Sequence, residues 1–225
     1  LNRNLDLDIH DYVSVNFLAV ADVVDLLGGI DLDLTDEEVV HMNNYCVETS
    51  EITGKKYKKI EPEVAGTYHL NGVQAVSYSR IRYTEGGDFQ RTSRQRLVIE
   101  KIAEEAKKAD LSTINKIIDA VFPEITTSFT SGEIVKMSAG LLQYSIGDNE
   151  GFPMDNETPD SIPGYQGSYV VPKGLEENVI KLHKFLFPDE DYTPTDTLKE
   201  ISDHIKDVTG IYPDDSEDST EDNEE

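Results

Sequence analysis

Arginines concentrate in one short stretch of this chain. Residues 77–96 read SYSRIRYTEGGDFQRTSRQR and hold five of the six arginines, although the 225-residue chain has a formal net charge of −25. The fourteen lysines all lie outside this stretch, so the choice of arginine is not a matter of charge alone. A guanidinium group can bind a phosphate through two parallel hydrogen bonds, which an ammonium group cannot do. The stretch therefore predicts an oxyanion site, and a diphosphate is the ligand that several guanidinium groups can hold together.

Surface ion pairing is the alternative explanation for these arginines. Glu85, Asp88 and Glu100 lie within or near the stretch, and exposed pairs with them would contribute little stability. Five arginines outnumber the three acids, which favours the oxyanion site. Nucleic acid is a poorer match, because its binding proteins neutralise many phosphates with a broad basic surface. We therefore predict no nucleic-acid partner.

Two elements must position the arginines. β-Branched and aromatic residues favour a strand that ends near Tyr83, and a strand would place Arg80 and Arg82 on one face. A helix across LNGVQAV, residues 70–76, is the alternative for the segment that leads into it.

A long helix is predicted after the loop TEGGD, with Asp88 as its N-cap. Arg91, Arg94 and Gln95 would lie in its first two turns, with Arg91 and Gln95 on one face. Two cations at a helix N-terminus oppose the helix dipole. An anion bound among them would offset that cost.

The pattern of the remaining chain predicts an α/β fold in one domain. Residues 12–18 alternate like a strand, residues 19–29 have helical spacing that ends in two glycines, and residues 30–34 form a second strand. That order is typical of a crossover unit. LEENVIKLHKFLF, residues 175–187, predicts a last amphipathic helix. The domain is expected to span residues 1–212, followed by a disordered acidic tail over 213–225.

The chain start and the cysteine content also carry information. Cys46 is the only cysteine and is expected to be a buried thiol. No apolar run is long enough for a membrane span and no signal peptide opens the chain. The opening LNRNLDLDIHDY is typical of the interior of a domain, so we expect the N-terminal part of the domain to be missing.

Three segments resemble the LytR-CpsA-Psr family of cell-envelope proteins: VNFLAVADVVDLLGGIDLDL, GTYHLNGVQAVSYSRIRY and GGDFQRTSRQRLVIEKI. They occur in the family's order and at similar spacing. The resemblance implies a mixed central sheet flanked by helices. It also implies a phosphotransferase that moves a glycopolymer, such as teichoic acid or capsular polysaccharide, from a polyprenyl diphosphate carrier to peptidoglycan. A non-catalytic module that binds a lipid diphosphate or an anionic polymer is the alternative.

The resemblance also implies roles for individual residues. The motif positions that bind the diphosphate correspond to Arg80, Arg82, Arg91, Arg94 and Gln95. Asp88 and Arg91 are the catalytic candidates, and Asp88 would either orient an arginine or transfer a proton. Arg94 also matches the motif but has an outward orientation as its alternative.

The family's magnesium ligands are expected upstream of this chain, so Mg²⁺ is predicted as cofactor without a ligand here. A membrane anchor, also absent from this chain, would hold the protein on the extracellular face of the cell membrane of a Gram-positive-type bacterium. Its partners there would be the polyprenyl-diphosphate-linked glycopolymer and peptidoglycan.

Overall fold

Helices supply most of the regular structure in the computed structural model, which describes residues 1–84, 87–140 and 143–214. The helices are α1 Asn2–Leu5, α2 Phe17–Leu27, α3 Asp36–Thr53, α4 Gly72–Ser79, α5 Gly87–Lys108, α6 Leu111–Val121, α7 Ser131–Ala139, α8 Leu175–Leu186 and α9 Asp196–Thr209. The strands are β1 Val13–Val15, β2 Ile30–Leu34, β3 Gly66–Leu70, β4 Ile125–Thr127, β5 Asn156–Glu157 and β6 Val171–Pro172. The predicted α/β class is confirmed.

The chain is divided into two compact units. One runs from Asp11 to Asn149 and contains β1–β4 with α2–α7. The other combines Leu1–His10 with the described residues from Glu150 onward and contains α1, β5, β6, α8 and α9. Every predicted site residue lies in the Asp11–Asn149 unit. The predicted domain boundary at residue 212 stays a prediction.

The strands form three separate antiparallel pairs within the described residues, which are β1 with β4, β2 with β3, and β5 with β6. The expected central mixed sheet is therefore not seen in this part of the chain. The crossover unit predicted over residues 12–34 is also wrong, because β1 and β2 pair with different partners. Helix α2 between them is nevertheless present, and β2 has the predicted bounds.

The core of the Asp11–Asn149 unit lies between β2, β3 and the helices α2–α5. Alternate residues of β2 are buried, at positions 30, 32 and 34, as the alternation of apolar and acidic residues requires. Cys46 on α3 belongs to this core and is fully buried, as predicted. Gly72 begins α4 where it crosses α2, and a Cβ there would lie 2.2 Å from the carbonyl oxygen of Ala21. Glycine therefore permits the close approach of the two helices.

The segment before the arginines is a helix and not the favoured strand. Asn71 and Gln74 form a capping box, in which each side chain bonds the other residue's backbone N–H. Residues 72–78 of α4 are all buried. Burial on every side explains the β-branched and aromatic residues that favoured a strand. Arg80 is the C-cap of this helix, so Arg80 and Arg82 do not project from one strand face.

The second unit is built on α8 and α9. Its small core includes Leu175, Val179 and Leu198, and the buried side chain of Asn178 donates to the carbonyl oxygen of Gly174 at 2.8 Å. Helix α8 confirms the amphipathic pattern from residue 175. It is not the last helix, however, because α9 follows it.

Candidate functional site

Asp88 joins two of the predicted arginines at the start of α5. Its Oδ2 accepts a hydrogen bond from Nη2 of Arg82 at 2.8 Å, and its Oδ1 lies 3.2 Å from Nη1 of Arg91. Helix α5 begins at Gly87, so Asp88 lies in the first turn and is not the predicted N-cap. One carboxylate thus holds two guanidinium groups at a helix N-terminus, where negative charge is favourable. We call Arg82, Asp88 and Arg91 the arginine cluster.

The opposite charges of the arginine cluster stabilise one another's ionised forms. The hydrogen bond from Arg82, together with the nearby charge of Arg91, holds the pKa of Asp88 below its usual range. The same hydrogen bond raises the pKa of Arg82. Both carboxylate oxygens of Asp88 contact these arginines, Oδ2 with Arg82 and Oδ1 with Arg91. Of the two roles left open by the sequence, the geometry therefore supports orientation of the arginines over proton transfer.

One donor of the arginine cluster lacks a partner within the described chain. The Nε of Arg91 is buried and makes no hydrogen bond to any residue that the structure describes. Glu85, the nearby acid that the sequence offered for pairing, lies outside the described residues. Buried N–H groups in folded proteins almost always meet an acceptor. An oxygen atom of a bound anion would supply that acceptor.

Arg80 faces helix α3 instead of the arginine cluster. Its Nη2 donates to Oε2 of Glu48 at 2.6 Å and its Nη1 donates to Oγ1 of Thr49 at 2.9 Å. The rings of Phe17 and Tyr45 lie 4.7 and 5.3 Å from the Cζ of Arg80. Its side chain is only 16% exposed. Aromatic rings and an acid therefore fix the orientation of this guanidinium group.

Arg94 points inward, so the outward orientation considered from the sequence is wrong. Its Nε donates to Oε1 of Glu38 at 2.9 Å, and the two side chains are 7% and 14% exposed. Its Nη1 and Nη2 donate to the carbonyl oxygen of Ile81 and to Oγ1 of Thr84. These contacts support a positioning role, in which Arg94 ties the 81–84 loop to α3. The predicted contact of Arg94 with a diphosphate stays a prediction.

The remaining candidates lie further along α5. Gln95 is exposed, one helical turn after Arg91. Arg96 donates to Oδ1 of Asn149 at 2.8 Å and to Oγ of Ser93 at 3.0 Å. The structure thus brings Arg82, Asp88 and Arg91 together and places Arg80, Arg94 and Gln95 around them in different environments.

Sequence reasoning missed an open cavity of about 420 Å³ beside Arg80. Its lining residues are His41, Asn44, Tyr45, Glu48 and Tyr83. We call it the tyrosine cavity. Four of the five residues lie on α3 at positions i, i+3, i+4 and i+7, which share one helix face. That spacing is readable from the sequence, but the approach of Tyr83 from the 81–84 loop is not.

Two other chemistries receive no support from the described residues. Burial raises the pKa of the Cys46 thiol to about 11, so it is protonated at neutral pH. Across residues 1–84, 87–140 and 143–214, no three His, Cys, Asp or Glu side chains form a group that could hold a metal ion. No helix in the same ranges is long and apolar enough to cross a bilayer.

Comparisons with known proteins found a family model and several relatives that match this chain. The model of the LytR_cpsA_psr family matches residues 1–169. Biofilm regulatory protein A of Streptococcus mutans is 34% identical over 145 residues, which are 63% of this chain and 32% of that protein. The polyisoprenyl-teichoic acid–peptidoglycan teichoic acid transferase TagV of Bacillus subtilis is 29% identical over 202 residues, 84% of this chain and 46% of TagV. This chain therefore spans less than half the length of either relative.

A solved structure supports the fold. The crystal structure of a protein described as a transcriptional regulator from Enterococcus faecalis matches with a TM-score of 0.64 at 21% identity. The match covers 95% of this chain and 72% of that one. At this level of identity the similarity establishes the architecture alone.

Proposed function

This chain belongs to the LytR_cpsA_psr family, and on that premise we propose that it is part of a phosphotransferase of cell-wall assembly. The enzyme would take a glycopolymer of the teichoic acid or capsular polysaccharide type from a polyprenyl diphosphate carrier. It would join that polymer to peptidoglycan through a phosphodiester. The name of TagV, a teichoic acid transferase that aligns with 84% of this chain, supports the reaction class.

The arginine cluster is the observation that carries the proposal. Arg82 and Arg91 share the carboxylate of Asp88, and the buried Nε of Arg91 has no acceptor among the described residues. A diphosphate oxygen would satisfy that donor and would be held by charge-assisted hydrogen bonds. The charge of the cluster and the α5 N-terminus both favour an anion at this place.

The arginines would act mainly by stabilising charge. In the transfer, an acceptor hydroxyl oxygen attacks the glycopolymer phosphorus and a new P–O bond forms. The bridging P–O bond breaks, polyprenyl phosphate leaves with the electron pair, and the hydroxyl proton passes to water. Arg82 and Arg91 would neutralise the charge that develops on the leaving phosphate, which is the larger part of catalysis in phosphoryl transfer. Asp88 would keep both guanidinium groups oriented.

Three further features belong to the proposal. We propose a magnesium requirement, which the family resemblance implies, with ligands outside the described residues. The protein would be held at the cell membrane by an anchor outside this chain. Its substrates would be reached on the extracellular face of a Gram-positive-type cell.

Binding of inorganic pyrophosphate tests the site directly. We expect millimolar pyrophosphate to raise the thermal unfolding midpoint of the chain, and Arg91→Ala to weaken this binding about tenfold or more, because it removes charge-assisted hydrogen bonds. Arg96→Ala is the matched control on the same helix and should bind normally. Equal binding by the Arg91→Ala and Arg96→Ala variants would contradict the assignment.

Turnover separates the enzyme from the binding-module alternative. The assay supplies polyprenyl-diphosphate-linked glycopolymer, peptidoglycan and magnesium, and measures polyprenyl phosphate release by a protein that contains this chain. We expect release that stops with a magnesium chelator and falls in Arg91→Ala. Ligand binding that persists under chelation, with no product under any condition, would favour the non-catalytic module.

A further inference from the structure

The tyrosine cavity lies directly beside the guanidinium group of Arg80, one of the arginines predicted to bind the diphosphate. Oε2 of Glu48, in its lining, bonds Arg80 at 2.6 Å, and the ring of Tyr45 lies 5.3 Å from the Cζ of Arg80. Tyr83 directly follows Arg82, a member of the arginine cluster, in the sequence. The cavity therefore borders Arg80 directly and the arginine cluster through the Arg82–Tyr83 peptide.

Aromatic rings form the walls of the cavity. The rings of Tyr45 and Tyr83 have centroids 6.4 Å apart and planes inclined by 17°. The ring of His41 lies 6.3 Å from that of Tyr83. Tyr83 is 75% exposed, although aromatic residues usually bury most of their surface. Its face is thus open to a ligand.

The polar side chains of the lining offer both hydrogen-bond donors and acceptors. The Asn44 amide offers both donors and an acceptor, the Glu48 carboxylate offers acceptors, and the His41 imidazole offers either. The charge of Glu48 is already paired with Arg80. The described lining contains no aliphatic side chain and no lysine or arginine. It therefore suits neither a lipid tail nor a second phosphate.

We propose that the tyrosine cavity binds a pyranose ring of the substrate. A pyranose has C–H faces that contact aromatic rings and a rim of hydroxyl groups that bond amides and carboxylates. The volume of about 420 Å³ lies in the usual range of about 300–1,000 Å³ for ligand sites. The inference rests on the proposed function, which places a diphosphate on the neighbouring arginines. The ring would belong either to the glycopolymer donor or to the peptidoglycan acceptor.

Matched probes separate the sugar from the diphosphate. Calorimetry on the whole chain would compare geranyl diphosphate with geranyl-diphospho-N-acetylglucosamine, which differ only in the sugar, and would add a muropeptide as acceptor. We expect Tyr83→Ala to weaken a sugar-bearing probe about fivefold, since one aromatic contact is lost. Geranyl diphosphate should bind Tyr83→Ala and wild type equally, and Tyr83→Phe should retain the sugar affinity.

Tyr144→Ala is the control, because Tyr144 is 62% exposed and lies outside the tyrosine cavity. A selective loss with the sugar diphosphate assigns the ring to the donor, and a selective loss with the muropeptide assigns it to the acceptor. The proposal is overturned if Tyr83→Ala weakens no sugar-bearing probe, or weakens geranyl diphosphate equally. Loss of geranyl diphosphate binding in Arg91→Ala would still support the diphosphate site in either of those cases.

Discussion

At the scale of single residues, burial separates the arginines into different roles. Arg82 is 51% exposed and pairs with a half-exposed Asp88, so its guanidinium group can reach a ligand. Arg94, twelve residues later in the same motif, is 7% exposed and bonds Glu38, Ile81 and Thr84. The same residue type therefore lies in two environments: Arg82 is accessible to a ligand, whereas Arg94 ties the 81–84 loop to α3.

This difference predicts that two alanine substitutions lower stability by very different amounts. Arg94→Ala should lower the free energy of unfolding by about 3–5 kcal/mol, because it leaves the largely buried carboxylate of Glu38 without its positively charged partner. Arg82→Ala breaks an exposed pair and should cost about 0–1 kcal/mol. Urea unfolding of both variants measures these costs.

Pyrophosphate binding provides the complementary readout. Arg82→Ala should bind pyrophosphate poorly while remaining stable. Arg94→Lys, which keeps the charge but loses the fork geometry, should be less stable than wild type and should also bind more weakly, since the 81–84 loop is no longer held. A stable Arg94→Ala variant that has lost only its pyrophosphate binding would show that Arg94 contacts the ligand after all.

At the scale of elements, a histidine links the two strands of the β2–β3 pair. His69 lies opposite Asp31 in the register, with Nδ1 2.6 Å from Oδ1 of Asp31 and Nε2 2.7 Å from the carbonyl oxygen of Gly28. Only the protonated ring can donate both hydrogen bonds. Asp31 first, and then the Gly28 carbonyl, therefore raise the pKa of His69 above its ordinary value of 6.5.

A pH dependence of stability follows from this raised pKa. The stabilisation is fully present below the unfolded-state pKa of about 6.5 and is lost as pH rises through the higher folded-state pKa. Wild type should therefore exceed His69→Gln in stability by more at about pH 5.5 than at about pH 8.5. The effect should be small and reduced by salt, because the side chain is 64% exposed. Asp31→Asn should remove most of it, and a pH-independent difference would contradict this origin.

The sequence predicted those elements whose signals are local. The alternation in β2 and the glycine stop after α2 depend on neighbouring residues, and both were predicted with nearly the observed bounds. The segment from Val76 was misread because α4 is buried on every side, so it lacks the polar face by which a helix is recognised. Its capping box, Asn71 with Gln74, was the available signal.

The candidate site also has a part that the sequence predicts and a part that depends on tertiary packing. The motif identified Arg82, Asp88 and Arg91, but not the sharing of one carboxylate by two arginines. The contacts of Arg94 with Glu38 and of Arg80 with Glu48 join residues 56 and 32 positions apart. Such pairings depend on how α3 packs against α4 and α5, which no local pattern encodes.

At the scale of the whole molecule, negative charge dominates. The chain has 45 acidic and 20 basic side chains, and residues 215–225 contribute seven of the acids. Like charges on one surface repel one another and destabilise the compact state. The arginine cluster is therefore a local positive site on a molecule that repels anions at long range. Salt should reduce this repulsion while leaving the short-range hydrogen bonds of the site in place.

Stability should accordingly rise with salt. Raising sodium chloride from about 10 mM to about 150 mM shortens the screening length from about 30 Å to about 8 Å, and the thermal unfolding midpoint should increase by a few degrees.

Deleting residues 215–225 changes the formal net charge from −25 to −18 and retains Asp214, the partner of Lys173. If the sequence correctly predicts a solvated tail, this deletion leaves the midpoint at the higher salt concentration unchanged. The deletion also preserves most of the rise in the unfolding midpoint with salt, because the charges whose repulsion destabilises the compact state are those of the folded units. A large drop in the midpoint would instead mean that the tail binds the folded units, since a solvated segment contributes equally to the folded and unfolded states.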